Sequence, residues 1–252
     1  MCRDEVPWVE VAVIMLLLLT WDVTDVNTVL YWPTMPEKFH ARMRDSGPAL
    51  RKRKGSYHHG NLRRALIDAG LGLIEKEGAT ALSLREAARR AGVSTAAPYR
   101  HFPSREALLA AIAEEGFRLL GEEIRRAIAE HDDAARRLGE AGIAYVLFAA
   151  AHPAHYNVMF SPELADRTAH PSLEAAAADP SQLLLGAIRD YQEAGWMRSR
   201  DPGELQLAAW SSVHGLASLI TSGHIRVAGF DPGRIEQIAR AVVRSLVPGF
   251  DG

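Results

Sequence analysis

The short text Ala91-Gly92-Val93-Ser94, between two segments with helical patterning, constrains the fold of this 252-residue chain more than any other feature. A turn of three or four residues that contains glycine and joins two short helices is typical of a helix-turn-helix. Gly92 can adopt the left-handed backbone conformation that such a turn requires. Val93 would fill the space between the two helices, and Ser94 would cap the second one. The sequence therefore predicts a helix-turn-helix over residues 83–101.

The residues after this turn, Thr95-Ala-Ala-Pro-Tyr-Arg-His101, predict a helix that enters the major groove of DNA. The N-terminal residues of the second helix in such a motif face the groove, and the small side chains of residues 95–97 would let the backbone approach closely. Pro98 falls in the first turn, where a missing N–H group costs little. Because few of these side chains can hydrogen-bond to bases, DNA shape would contribute much of the specificity.

The candidate DNA contacts fall into groups by the part of DNA that they would reach. Thr95 could hydrogen-bond to a base or a phosphate, and the alanine methyl groups could contact a thymine methyl. Tyr99, His101 and Arg105 would bind phosphates, which position a protein without reading sequence, and Arg85 would reach a guanine edge or a phosphate. The full set of candidates is Arg85, Ser94, Thr95, Ala96, Ala97, Tyr99, His101 and Arg105, with Lys54 and Tyr57 upstream.

The charge distribution supports a nucleic-acid partner. Residues 50–118 contain 13 Lys or Arg and 7 Asp or Glu, although the whole chain has a formal net charge of -2. Residues 51–60 form a basic arm before the first predicted helix, and such arms contact phosphates or the minor groove. A basic run alone could equally be a solvated surface segment, but its place directly before the motif favours contact with DNA.

From residue 61 onward the sequence predicts an all-α fold of about nine helices, because apolar residues recur at helical spacing and no alternating run of useful length appears. Helix starts are marked by Ser83 with Glu86, by Ser94, by Ser104, and by the pairs Asp179-Pro180, Asp201-Pro202 and Asp231-Pro232. Residues 172–178 could form a short helix or the front of the next one. The predicted helices span residues 61–76, 83–91, 95–101, 104–130, 133–151, 154–160, 180–194, 202–224 and 232–246.

The first 49 residues differ from the rest and are expected to form an atypical extension. Their apolar run, Val11 to Leu19, is too short to span a bilayer, which requires about 20 residues. Acidic residues before the run argue against a signal peptide. Translation of upstream DNA from a misplaced start codon is favoured, and a membrane-associating helix is the alternative. The expected division is 1–49 for the extension, 50–104 for a DNA-binding domain and 105–252 for a C-terminal domain.

Residues 60–108 resemble the DNA-binding domain of the TetR/AcrR family of one-component transcriptional regulators, and the text that carries the resemblance, residues 65–109, is ALIDAGLGLIEKEGATALSLREAARRAGVSTAAPYRHFPSREALL. The resemblance rests on the order of its parts: an amphipathic helix that ends in Glu-Gly, then Ser-Leu-Arg-Glu-Ala-Ala, Ala-Gly-Val-Ser and Tyr-x-His-Phe-x-Ser-x-Glu-x-Leu. Arg105 stands where family members commonly carry Lys. The resemblance implies DNA contacts at Arg85, Thr95, Ala96, Ala97, Tyr99, His101 and Arg105.

A second resemblance lies in the text AAWSSVHGLASLI, residues 208–220, which is similar to a subgroup of that family named for a Trp-His-Gly motif. The text AHPAHYNVMF, residues 151–160, fits the same subgroup. In the family the last two long helices of each subunit form a four-helix interface, which implies a homodimer through helices near 202–224 and 232–246 and a palindromic operator. Apolar stripes on these helices could serve the intramolecular core equally well.

The resemblance also implies an apolar small-molecule effector, and the C-terminal domain has side chains suited to one. Aromatic residues with a few polar groups are typical of apolar ligand pockets, and Tyr145, Phe148 and His152 share one predicted helix face. Each of these side chains could instead belong to an ordinary core. The candidate ligand-binding residues are Tyr145, Phe148, His152, His155, Tyr156, Met159, Trp196, Trp210 and His214.

Other function classes lack support in the sequence. His152, His155 and His170 could suggest a metal site, but no His-Glu-x-x-His motif is present and Pro153 disturbs the spacing. No nucleophile elbow, P-loop or dinucleotide fingerprint appears, so neither an enzyme nor a cofactor is expected. The single cysteine, Cys2, suits the cytoplasm. The sequence predicts a cytoplasmic repressor released by a small molecule; the alternative is a DNA-binding or architectural protein without an effector, acting through protein partners.

Overall fold

The computed structural model describes residues 62–226, 229 and 231–252, and every regular element within these ranges is helical, as predicted. The expected N-terminal extension and the basic arm with Lys54 and Tyr57 lie outside the described residues. None of the helices in the described ranges is long and apolar enough to cross a membrane. The eight α-helices there are α1 (Leu62–Glu77), α2 (Leu84–Ala91), α3 (Arg105–Ala129), α4 (Ala134–Ala151), α5 (Pro153–Met159), α6 (Pro171–Glu193), α7 (Pro202–Thr221) and α8 (Ile235–Leu246).

Helix α1 packs against α2, α3 and α5. Leu66 of α1, Phe102 before α3 and Leu108 within it are buried together in the core. Short 3₁₀ helices lie on either side of α2, at Ala79–Ala81 and Ala97–Arg100. Helix α2 and the 3₁₀ helix Ala97–Arg100 thus pack against α1, which in turn packs against α3.

Helix α3 is central to the remaining helices and packs against α4, α5 and α6. The close approach of α5 depends on Gly116, because a Cβ atom at that position would lie 2.5 Å from Sδ of Met159. Phe117, Leu120 and Ile124 continue the buried side of α3 into one core shared with the other helices. Helix α3 therefore packs both against α1 and against the helices of the C-terminal part.

Three predicted helix caps are confirmed. The Ser83 hydroxyl accepts a hydrogen bond from the Glu86 N–H at 3.1 Å, and the Ser104 hydroxyl accepts one from Ala107 at 3.1 Å. Asp201 accepts from the Glu204 N–H at 3.0 Å at the start of α7. These short-range bonds satisfy N–H groups that the first turn of a helix leaves free. Their residues are adjacent in sequence, which is why the sequence predicts them well.

The predicted helix start at Asp179-Pro180 is wrong. Helix α6 begins at Pro171 and continues through Pro180, so residues 172–178 form the front of this helix. The Asp179 carboxylate accepts a hydrogen bond from Arg125 at 2.9 Å instead of capping a helix, and Pro180 is buried. Packing and an ion pair against α3 therefore outweigh the local tendency of proline to begin a helix.

The apolar stripes predicted on the last two helices are only partly covered by the chain's own core. They are Leu205, Ala209, Val213, Leu216 and Ile220 in α7, and Ile235, Ile238, Val242 and Leu246 in α8. Val213 and Leu216 of α7 are buried, as are Ala239 and Val243 of α8. The other members of the two stripes are half-buried, except Leu246, which is 39% exposed. The stripes therefore contribute to the intramolecular core and leave apolar surface on both helices.

Candidate functional site

The turn between α2 and the following 3₁₀ helix has the geometry that the sequence predicts. Gly92 has φ 72° and ψ 29°, the left-handed conformation, and it ends α2. The Val93 N–H donates to the Ala88 carbonyl at 3.0 Å, which closes the turn, and the Val93 side chain is half-buried. The two elements are therefore held at a fixed angle by backbone bonds and by one apolar side chain.

The segment after the turn is a short 3₁₀ helix, whereas an α-helix over residues 95–101 was predicted. Ser94 does not cap it, because Ala96 occupies the N-cap position and the Ser94 carbonyl accepts from the Ala97 N–H at 3.0 Å. Pro98 is buried and its carbonyl accepts from the Phe102 N–H at 2.9 Å. Pro98 is therefore compatible with the short helix, and its burial holds the segment against the core.

Most of the candidate DNA contacts in the described part lie on the surface. Tyr99 is 53% exposed although it is a large hydrophobic residue. Its exposed neighbours in this unit have small or polar side chains and would let DNA approach the backbone. Ala97 is half-buried, and the exposed candidates besides Tyr99 are Arg85, Ser94, Thr95, Ala96 and His101.

Arg105 differs from the other candidates because its donors are bonded within the protein. Its Nε donates to the Leu82 carbonyl at 2.9 Å, and its Nη2 donates to the Ala79 carbonyl at 2.8 Å. The guanidinium also forms an ion pair with Glu163. These bonds give Arg105 a structural role within the protein, and its contact with phosphate stays a prediction.

Further polar contacts join the DNA-side helices to the rest of the chain. Arg64 of α1 donates to Glu115 of α3 at 2.7 Å. His170 lies 3.1 Å from Glu106, which is next to Arg105 in the first turn of α3. We call this set of contacts, together with the bonds of Arg105, the junction. It connects α1 and the residues before α2 to α3 and to residues 163–170.

A cavity of about 570 Å³ lies between α3, α4, α6, α7 and α8. This volume falls in the range of ligand pockets, roughly 300–1,000 Å³. Its wall is mostly apolar, and Arg167, Glu174, Ser181 and Gln206 supply polar groups. The lining includes Phe117, Leu120, Ile124, Leu138, Ala141, Gly142, Tyr145, Phe160, Ala177, Pro180, Leu184, Leu207, Trp210, Val213, Val243, Leu246 and Val247.

Of the nine predicted ligand-binding residues, Tyr145 and Trp210 line this cavity. Phe148 and His152 instead line a separate cleft of about 380 Å³ on another side of α4. Their i, i+3 and i+7 spacing does keep the three side chains close together around α4, but Tyr145 lines the cavity while Phe148 and His152 line the cleft, so the three do not share one pocket.

Met159, His155 and Trp196 are also placed away from the cavity. Met159 is fully buried against Gly116. His155 is buried with its Nε2 3.7 Å from Oε1 of Glu115, which is too long for a hydrogen bond. Trp196 is 40% exposed and stacks on Tyr191 with ring centroids 5.8 Å apart. All three therefore have packing roles.

Tyr156 and His214 do not line the cavity, but a hydrogen-bond network joins them to Tyr145 in its wall. The hydroxyls of Tyr145 and Tyr156 lie 2.8 and 3.0 Å from Nδ1 of His214. Tyr156 also donates to the His214 carbonyl at 3.2 Å and lies 3.0 Å from the Ser218 hydroxyl. Burial lowers the pKa of His214 and raises the pKa of both tyrosines, so all three are neutral near pH 7.

Phe160 and Arg167, two residues that shape this end of the cavity, were not among the predicted ligand-binding residues. The Phe160 ring lies 4.6 Å from the ring of His214 and 5.6 Å from that of Phe117, measured between centroids. Arg167 lies between the predicted helices 154–160 and 180–194. Helical periodicity could not have predicted the contacts of Phe160, because they reach Phe117 in the middle of α3 and His214 in α7, 43 and 54 positions away in sequence.

Comparisons with known proteins agree with this architecture. The family model described as "Bacterial regulatory proteins, tetR family" matches residues 66–112, and "Tetracyclin repressor-like, C-terminal domain" matches residues 138–246. No curated protein matches the chain. A structure of a protein with unknown function from Rhodococcus sp. RHA1 is 34% identical, with a TM-score of 0.65, over 77% of this chain and 100% of that chain.

Two more distant structures share the fold. The transcriptional regulator FadR from Bacillus subtilis, in complex with stearoyl-CoA, is 17% identical with a TM-score of 0.60, over 74% of this chain and 98% of that one. AibR, in complex with isovaleryl coenzyme A and operator DNA, is 22% identical with a TM-score of 0.58, over 75% of this chain and 99% of that one.

Proposed function

The chain belongs to the TetR family of bacterial regulatory proteins, and from that premise we propose that this DNA-binding transcription regulator is a repressor that a small molecule releases from a palindromic operator. The observation that carries the proposal is the apolar cavity of about 570 Å³ in the domain that follows the helix-turn-helix. A regulator that acts only through protein partners needs no such cavity. The cavity therefore favours the ligand-responsive function over the alternative.

The DNA-binding surface is formed by the exposed residues around the 3₁₀ helix Ala97–Arg100. Thr95 and Arg85 are proposed to read bases, and Tyr99 and His101 to bind phosphates. Selection from random duplexes should yield a palindromic site. Thr95→Ala and Arg85→Ala should then change base preference, whereas Tyr99→Phe should weaken binding to all sequences alike. Identical effects of the three variants on specific and random DNA would refute this division of roles.

Residues 160–170 are proposed to connect the cavity with the DNA-binding helices, and we call them the connecting segment. Phe160 and Arg167 line the cavity, while Glu163 binds Arg105 at the first turn of α3. His170, at the end of the segment, contacts Glu106. A ligand that displaces the cavity-lining residues would therefore shift the side chains that hold the junction. It can change operator affinity only if it binds the two conformations unequally.

A cavity-filling variant tests whether the cavity is the effector site. Ala177→Trp places a large side chain in the cavity from α6, where Ala177 is half-buried. The matched control is Ala175→Trp, because Ala175 is exposed on the same helix. After a thermal-shift screen has found a ligand, we expect that ligand to weaken operator binding by the wild type and the control, typically about 5- to 150-fold. Release of the Ala177→Trp variant at the same ligand concentration would rule out the cavity as the site.

The proposed two-fold contact uses the exposed face of α7. Leu207 and Leu219 are 61% and 47% exposed, and the exposed residues Ser211 and Gly215 lie between them at intervals of four. A Cβ atom at Gly215 would meet nothing within 4 Å inside this chain. A glycine within a helix costs about 1 kcal/mol relative to alanine, so a close approach by a second subunit would explain it.

Gly215→Ala tests this contact against the control Gly186→Ala, another exposed helical glycine with open space around it. The control should stabilise the fold by about 0.5–1 kcal/mol and leave the dimer intact. Gly215→Ala should weaken dimerisation in analytical ultracentrifugation, since the added methyl group would separate the subunits. Two variants with the same dimer dissociation constant would exclude Gly215 from the interface.

A further inference from the structure

Arg167 is a charged side chain in the wall of an apolar cavity, and it is only partly satisfied there. Its Nη2 donates to the Met159 carbonyl at 3.2 Å, while its Nε is buried without any hydrogen-bond partner. The guanidinium carbon lies 4.9 Å from the centroid of the Phe117 ring. A cation–π contact attracts the charge but supplies no acceptor for the remaining N–H groups.

Other half-buried arginines in the protein pair with carboxylates. Arg105 binds Glu163, Arg240 donates to Glu140 at 2.8 Å, and Arg137 lies 2.8 Å from Asp190. Arg167 forms no ion pair with a carboxylate among the described residues. Burial lowers the pKa of Arg167, but an arginine stays protonated in proteins near neutral pH. The cavity wall therefore contains a permanent positive charge that lacks a counter-charge.

The surroundings of Arg167 restrict what can supply that counter-charge. Glu174 also lines the cavity, but it is exposed and forms no ion pair with Arg167. Phe160, Leu120 and the other apolar lining residues offer no acceptor. A desolvated charge is costly unless it is paired and hydrogen-bonded. A bound anion would neutralise the guanidinium by accepting from its Nη groups, since the Nε–H group is buried and out of reach of the cavity.

We infer that the cavity binds an apolar molecule that carries one anionic group, a carboxylate or a phosphate, and that Arg167 binds this group. The inference rests on the proposed function in one respect only, that the cavity is the effector site. The apolar part of the ligand would occupy the space between α4, α6, α7 and α8. Arginine suits this role because its planar N–H groups match the geometry of both anions.

The test compares n-decanoate with 1-decanol, which has the same chain without the charge, by isothermal titration calorimetry at pH 7.5. We expect the wild type to bind decanoate at least about tenfold more tightly, as a hydrogen-bonded charged pair in an apolar site should give. Arg167→Met should remove this preference and change decanol binding little. Arg167→Lys, which keeps the charge, should retain part of the preference, and it keeps the test valid if Arg167→Met does not fold.

The control variant Arg137→Met removes a half-buried cation outside the cavity, and it should keep the wild-type preference. Decanoyl-coenzyme A separates the two sources of the anion: tighter binding of decanoate indicates a free carboxylate, and tighter, Arg167-dependent binding of the thioester indicates a phosphate. Equal binding of decanoate and decanol to the wild type, no binding of any probe, or an unchanged preference in both Arg167 variants would overturn the inference. Release of the operator by a neutral ligand in that case would leave the proposed function standing.

Discussion

The junction and the cavity differ in how completely their charged groups are paired. In the junction, Arg105 donates to two backbone carbonyls and pairs with Glu163, and Arg64 pairs with Glu115. In the cavity, Arg167 has one carbonyl acceptor and an aromatic ring. The connecting segment contacts both regions: its Glu163 binds Arg105 in the junction, and its Arg167 lies in the wall of the cavity. The arginines of the junction have partners within the protein and hold its helices in place. Arg167 lacks a carboxylate partner and can therefore bind a ligand.

Two buried side-chain nitrogens without a hydrogen-bond partner sharpen this comparison. Among the described residues they are Nε2 of His155, near the junction, and Nε of Arg167, at the cavity. Burial lowers the pKa of His155, so this side chain avoids the cost of a buried charge by losing its proton. Arginine has no such option. An unsatisfied histidine can therefore be structural, whereas an unsatisfied arginine calls for an anion.

The largest expected effect is from Arg105→Met. The variant leaves the carbonyls of Ala79 and Leu82 without their donor and removes the partner of Glu163. Hydrogen bonds to charged groups contribute about 1.5–3 kcal/mol each; since the side chain is partly solvated, we expect a total loss of about 2–3 kcal/mol in urea unfolding. Arg126→Met, which removes an exposed pair with Glu123, should change stability by less than about 0.5 kcal/mol. Similar losses in both variants would mean that the junction is no more than a surface network.

A smaller effect is expected from pH through His155. Because its pKa is lowered in the folded state, the unfolded chain binds more protons below the ordinary value of about 6.5. Stability is therefore fully present above that value and falls as the pH drops through it. His155→Gln should show a smaller decrease in unfolding free energy between pH 7.5 and 5.5 than the wild type. The charged and titratable groups that face His155 are Glu115, His152 and Arg64. The pKa of His214 is also lowered, but His214 is present in both the wild type and the variant, so its effect cancels in the comparison.

The smallest effect on stability is expected from Arg167→Met without ligand. The variant loses the hydrogen bond to Met159 and the contact with Phe117, but it also removes a buried N–H group without a partner. Replacing an uncompensated buried charge with an apolar side chain is often neutral or favourable. We expect a change of at most about 1 kcal/mol in urea unfolding. A loss as large as that of Arg105→Met would show that Arg167 is already satisfied within the protein and would remove the contrast between the two regions.

The helix-turn-helix was predictable from sequence because the forces that form it act between near neighbours. Gly92 adopts the left-handed conformation, and Ser83 and Ser104 cap the helices that follow them. The segment at Pro98 was predicted to be helical and is, although it is 3₁₀ and Ser94 does not cap it. These differences change the length of the element by a few residues and leave its exposed surface as expected.

The cavity was much less predictable because it depends on contacts between distant residues. Tyr145 and Trp210 were predicted to bind ligand because they are aromatic, and they line the cavity. Phe148 is also aromatic but lines another cleft, so residue type alone could not predict which aromatic residues form the cavity. Arg105 was predicted to contact DNA from its place in the motif, and its ion pair with Glu163, 58 residues away, was not predicted. Pro180 looked like a helix start because its packing against α3 is not visible in sequence.

The connection between cavity and DNA can be tested without knowing the effector. If the two sites are coupled, DNA binding must also change the cavity side, because coupling between binding sites is reciprocal. The direct measurement is hydrogen–deuterium exchange with and without operator DNA. The account predicts altered exchange in the connecting segment, residues 160–170, in addition to protection around residues 83–101. Changes confined to residues 83–105 would contradict it.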